Sequence, residues 1–271
     1  MFTAEALDKI TSASFLAAGK SLVTDVPVAI IPHGYDIKNI EHLQDQRSRF
    51  RGVLSTQSLP DFCDYVIDQS TAANKVPTFV DAECMAAVAI FDLGDTALPL
   101  HAEHQAKLIL KPTAAYNALR LIAGGRHSQQ QLAEWVEDWN QYLKVKDKDG
   151  ADIPIGVAVQ KIRSITIKAK SEVTSTQENF GASRSAMDSI EAAHAEQQPH
   201  DLIFTTKPYE GLPPFAFTLR LSIITGEKPM ICPRWVQKEA QEEEIAQAFK
   251  DVLKKEIGGI SVLTVGTFST K

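Results

Sequence analysis

Apolar and polar positions alternate with a period that changes several times along the chain, and each change marks an element. Thr3–Ala18 carries Leu7, Ile10 and Leu16 at helical spacing, with Gly19 as its stop, and predicts an amphipathic helix. Val26–Ile31 reads as a short strand ended by Pro32–Gly34, and Phe50–Thr56 as the next strand. Ser58 is placed to cap a helix in the pattern S-x-x-D, which turns Leu59, Phe62 and Val66 inward. Thr78–Asp81 and Met85–Leu93 predict an antiparallel pair around Ala82–Glu83, followed by a loop over Gly94–Pro99.

The densest patterning runs from His101 to Trp139 as strand, helix, glycine break and helix. Thr113 caps the first of these helices, and Gly124–Gly125 ends it. Ser128 and Gln131 have the S-x-x-Q spacing of a capping box. Leu132, Trp135, Val136, Trp139 and Leu143 then share one helical face.

Lys144–Gly150, charged and closed by glycine, is the best candidate boundary. Ser164–Ala169 alternates, with Ile165 and Ile167 on one side. Ser171–Gln198 is polar and short of large apolar residues, and reads as a thin helix through Met187 and Ile190 or as mobile chain. Leu202–Thr206 and Phe215–Thr225 resume the strand pattern, and Gly226–Pro229 turns the second into Met230–Val236. Gln237–Glu256 is a helix with Ile245, Phe249, Val252 and Leu253 in its stripe, and Ser261–Phe268 is a terminal strand.

Hairpins interrupted by helices predict an α+β fold, with a mixed, mainly antiparallel sheet and several amphipathic helices. The expected organisation is an N-terminal α+β lobe over 1–146 and a C-terminal β-rich lobe with a long helix over 151–271, or one continuous domain.

Composition narrows the function classes. A chain of 271 residues with 44% hydrophobic and 23% charged content is ordinary for a globular protein. Its net charge of −6 argues against wholesale duplex binding, which needs a positive field. The apolar runs are too short to span a bilayer, and Met1–Gly19 lacks the features of a signal peptide. Cys63, Cys84 and Cys232 are scattered without CxxC spacing, which fits buried free thiols in a reducing cytoplasm.

RSRFRG at Arg47–Gly52, LPLHAEHQAKLIL at Leu98–Leu110, LAEWVEDW at Leu132–Trp139 and the later FTLRLSIITGEKP together resemble the YfdQ-like proteins of phages and prophages. The resemblance implies a bacterial cytoplasmic setting and an accessory role in the phage life cycle. It supplies no activity and no catalytic residue. Members often accompany phage recombination genes, which favours a DNA-related role.

The sharpest local feature is Arg47, Arg49 and Arg51. On an extended chain they share one face and can engage phosphates bidentately, or meet carboxylates across a sheet or a subunit contact. His101, Glu103 and His104, with His127 further on, carry metal-ligand chemistry but not the helical HExxH spacing, so a polar loop and strand start is the simpler reading. Asp81, Glu83, Asp92 and Asp95 flank the hairpin, where they would hold Mg²⁺ in a phosphodiesterase with Lys107, or solvate turns. Glu134, Glu137 and Asp138 lie opposite the apolar stripe of their helix, which favours solvent or subunit contacts over acid–base work. Trp135 and Trp139 fit core packing better than base stacking. Neither a phosphate-loop glycine pattern nor a G-x-S-x-G elbow occurs.

The expectation is therefore a non-enzymatic, homo-oligomeric phage or prophage protein that holds nucleic acid or a nucleotide through Arg47, Arg49 and Arg51. It needs no metal, cofactor or membrane. The alternatives are a structural subunit that assembles into a ring or closed shell, and a metal-dependent phosphodiesterase.

Overall fold

The computed structural model describes residues 3–18, 21–22, 28–29, 41–70, 75–165, 198–224 and 230–269. The chain divides into two compact units, Met1–Phe50 and Arg51–Lys271.

In the first unit, helix α1 (Ala4–Ala18) starts where the Thr3 hydroxyl accepts a hydrogen bond from the Ala6 N–H. Glu5 and Lys9 pair one turn apart on its surface. Leu7 and Ile10 on this helix are open, at 53% and 51% exposure. A two-stranded antiparallel ribbon follows, β1 (Ser21–Leu22) with β2 (Val28–Ala29); the rest of the predicted Val26–Ile31 strand lies outside the described residues. Further on, the Glu41 carboxylate accepts from both the backbone N–H and the hydroxyl of Ser48, which closes the loop between them.

The second unit holds two sheets. One has five strands in the order β13-β4-β5-β6-β3, formed by Ser261–Val265, Val76–Asp81, Ala86–Ile90, His104–Ile109 and Gly52–Thr56. The β4-β5-β6 meander is antiparallel, and the edge strands β3 and β13 pair parallel to their neighbours. Val76, Thr78 and Val80 of β4 alternate into the core with Ala106 and Leu108 of β6. Ser261 of β13 is tied to this face: its hydroxyl donates to the Val76 carbonyl at 2.7 Å and lies 2.7 Å from the Thr78 hydroxyl. The opposite face leaves Val53, Ile109 and Val262 exposed and stacks Phe79 on Phe268 with ring centroids 4.4 Å apart.

The other sheet has six strands, all antiparallel, in the order β7-β12-β11-β10-β8-β9. These are His127–Ser128, Met230–Trp235, Phe215–Ile224, Asp201–Thr206, Leu143–Lys146 and Asp152–Ile153. β11 places Phe217, Leu219 and Leu221 in the core, as its period of two requires. Lys144–Gly150 is part of the β8–β9 hairpin: the Asp147 carboxylate accepts from the Asp149 and Ala151 N–H groups and fixes the turn.

Five helices are found among the described residues of this unit: α2 (Leu59–Gln69), α3 (Ala114–Ile122), α4 (Gln129–Asp138), α5 (Ile155–Arg163) and α6 (Lys238–Ile257). Their starts follow the local chemistry. Ser58 accepts from the Asp61 N–H, Thr113 from the Tyr116 N–H, and Ser128 with Gln131 makes both bonds of the capping box. Phe62 and Val66 of α2, Leu132 and Val136 of α4, and Phe249 and Leu253 of α6 enter one continuous core. The architecture is α+β, with two mostly antiparallel sheets.

The structure corrects several boundaries. Leu143 is buried but belongs to β8, because α4 stops at Asp138 and Trp139 leaves helical geometry. Ser164 does not begin a strand; it ends α5, its N–H bonded to the Gln160 and Lys161 carbonyls. Residues 166–197 lie outside the described residues, and with them Ile167 and nearly all of Ser171–Gln198. The predicted Gly226–Pro229 turn lies outside them as well, although β11 and β12 do pair as a hairpin. No described helix is long and apolar enough to cross a membrane.

The three cysteines are free but are not all buried: Cys63 is in the core, Cys84 is exposed on the β4–β5 turn, and Cys232 is intermediate. Burial, with Glu256 and Asp64 adding, pushes the Cys63 thiol up to about 12. Maleimide labelling of the native protein should therefore modify Cys84 and spare Cys63 until unfolding. Peptide mass mapping that found Cys63 labelled as fast as Cys84 would contradict this packing.

Candidate functional site

The three arginines do not lie along a strand. Ser48 and Arg49 form a bend and regular pairing begins only at Gly52, whose N–H donates to the Glu103 carbonyl. The single-faced row needs extended chain from Arg47 to Arg51, and that premise fails. Arg47 and Arg49 are exposed near the end of the first unit, and Arg51, half-buried, opens the second.

The histidines separate. His101 is exposed ahead of β6, whereas His104 begins that strand in a buried position, its Nε2 3.1 Å from the Tyr65 hydroxyl and its ring 4.4 Å from that of Phe91. Burial pulls the His104 pKa down, with Asp92 opposing, which favours the neutral ring. His127 donates from Nε2 to the Ile122 carbonyl at 2.9 Å and so satisfies the last turn of α3.

Three of the four hairpin acids, Asp81, Asp92 and Asp95, are occupied with backbone. Asp92 accepts from the Glu103 N–H at 3.0 Å and the His104 N–H at 2.8 Å, one on each oxygen. Asp95 accepts from Ala97 and Leu98, and Asp81 from Cys84. These are turn-fixing bonds. Among the described residues no group of three or more metal-ligating side chains gathers.

Trp135 and Trp139 border the buried Phe204, with ring centroids at 5.4 and 6.4 Å, and Tyr142 stacks on it at 5.5 Å. Both tryptophans are half-buried, with Phe204 at the centre of the cluster. On the solvent side of the same helix, Glu137 pairs with Arg163 of α5 at 2.8 Å.

One concavity among the described residues has no counterpart in the sequence pattern. A cleft of about 390 Å³ opens where α3 faces the first turns of α6, beside the β4–β5 turn and the loop after β10. Tyr116 and Arg120 project from α3, Tyr209 from the loop, and Glu239, Glu242 and Glu243 from α6. Met85 forms part of the wall with a left-handed backbone, φ 51°, held by the hydrogen bond from the Leu110 N–H to its carbonyl. Tyr116 and Tyr209 lie with ring centroids 5.7 Å apart. Burial drives the Tyr116 hydroxyl up to about 12, Tyr209 and Glu242 adding and Arg120 opposing. Burial also raises Tyr209, so both phenols are protonated donors near neutral pH. The sequence signal was the pairing of Tyr116 with Arg120, and of Glu239 with Glu242 and Glu243, at helical spacing. Only the packing of α3 towards α6 brings the two sets together.

Residues 3–268 match the family described as Uncharacterized conserved protein (DUF2303), and the chain belongs to that family. No curated protein and no solved structure matches it.

Proposed function

We propose that the protein is a non-enzymatic, self-assembling subunit acting as a homo-oligomer in the accessory machinery of a phage or prophage. Its resemblance to YfdQ-like proteins supports that setting and a place in the bacterial cytoplasm. The observation that carries the reading is the apolar surface of the N-terminal unit, where Leu7, Ile10 and Leu43 are between 51% and 73% exposed. A single helix of this length is marginal in water, and a segment of this size buries little core alone. Contact with further copies of the chain would cover such side chains. Leu7→Ser with Ile10→Ser should shift the species seen by light scattering towards monomer, with the circular dichroism of the second unit retained. An unchanged mass in that variant would contradict the role given to the N-terminal unit.

A second reading keeps Arg47, Arg49 and Arg51 as a phosphate-binding segment for nucleic acid or a nucleotide. It is favoured by three guanidinium groups within five residues, with Arg47 and Arg49 exposed. Replacing all three with glutamine separates the readings. Lost phosphate contacts lower affinity and flatten the salt dependence by about 0.7–0.9 per contact in log–log terms. Lost subunit contacts dissociate the assembly instead.

A further inference from the structure

We infer that the cleft between α3 and α6 binds a small zwitterion with a second cationic group, of the size and charge of a basic amino acid. Its carboxylate would sit at Arg120 and the tyrosines, and its ammonium or guanidinium groups at the glutamates.

The charge arrangement points to such a ligand. Arg120 and the α6 glutamates line one cleft, yet among the described residues Arg120 makes no ion pair with any of them. Glu242 is shared only with Lys238 at the rim, at 3.8 Å. Opposite charges held apart across a cavity are complementary to a molecule that carries both signs. Counting Glu83 at the rim, the lining has four carboxylates against one guanidinium, so the preferred ligand carries more positive than negative charge.

Tyr116 supplies the independent observation. Its side chain is only 3% exposed, it lines the cleft, and its hydroxyl has no hydrogen-bond partner among the described residues. The ring is packed but the oxygen opens on the cleft, so an acceptor that enters can take its hydrogen bond. A carboxylate accepts from this hydroxyl and from a guanidinium together, through charge-assisted bonds. The two phenol rings add faces against which a cationic group can rest. The volume of about 390 Å³ is in the range of small-molecule sites.

Isothermal titration of the full chain with L-arginine tests this, with agmatine, which lacks the carboxylate, and L-glutamate, which lacks the second cation, as the other arms. Saturable L-arginine binding is expected, with agmatine weaker by about tenfold or more and L-glutamate inert. Arg120→Gln should weaken L-arginine by about 10- to 100-fold while leaving agmatine unchanged, and Glu239→Gln with Glu242→Gln should weaken both. Tyr116→Phe should weaken L-arginine with the melting temperature unchanged, and the two surface sets stand as tests if that core variant unfolds. No saturable binding of L-arginine below about 10 mM would overturn the proposal. Agmatine binding as tightly as L-arginine, or affinities unchanged in the folded surface variants, would do the same.

Discussion

Phe204→Ala should lower the stability of the second unit by about 3–5 kcal/mol, the usual cost of removing a buried aromatic ring from a core. Phe204 on β10 is fully buried, and three rings converge on it, from Trp135 on α4, Trp139 at the end of that helix and Tyr142 beyond it. The cavity would open where the six-stranded sheet meets α4. Trp135→Ala should cost less, because that side chain keeps part of its surface in water. Chemical denaturation of both variants checks the order. A smaller loss for Phe204→Ala than for Trp135→Ala would mean that the tryptophan, not the phenylalanine, anchors the cluster. Unchanged stability of Trp135→Ala with loss of nucleic-acid binding would mark it as a stacking platform.

The second large effect is expected at Asp92. One carboxylate there accepts from two consecutive backbone N–H groups at the entry to β6, at 3.0 and 2.8 Å, and the Asp92 carbonyl accepts from Ala102 at 2.9 Å. Asp92→Ala leaves the two part-buried donors without their acceptor, which costs about 2–4 kcal/mol. The loss should be independent of Mg²⁺. Hydrogen exchange at Glu103 and His104 should accelerate first, because those amides lose their acceptor. A variant as stable as wild type, or one whose deficit depended on Mg²⁺, would return Asp92 to the role of metal ligand.

Much of the fold was legible because local chemistry and tertiary packing agree. Ser58, Thr113 and Ser128 cap the helices that their spacing predicts, and the period of two across Phe215–Ile224 survives as the buried face of a central strand. The helix Ile155–Arg163 had no counterpart in the sequence pattern. Gly156, Val157, Ala158 and Val159 carry no strong helical signal, yet Pro154 starts α5 there and Ala158, Val159 and Ile162 are buried. The arginine row failed for a different reason: alternation in RSRFRG is a statement about side chains, and the backbone bends at Ser48 and Arg49 before the strand begins. The hairpin acids were readable as turn formers, since Asp95 and Asp81 each bond residues two or three further on. The cleft was not readable, because Tyr116 and Glu242 are far apart in sequence and meet only through α3, α6 and the core beneath them.

Self-assembly is tested most directly by the mass of the intact chain in solution. Light scattering across a concentration series at fixed salt and without added nucleic acid should show one defined species, a multiple of the 29.8 kDa chain, persisting at micromolar protein. A species that remains at 29.8 kDa throughout the series would contradict it.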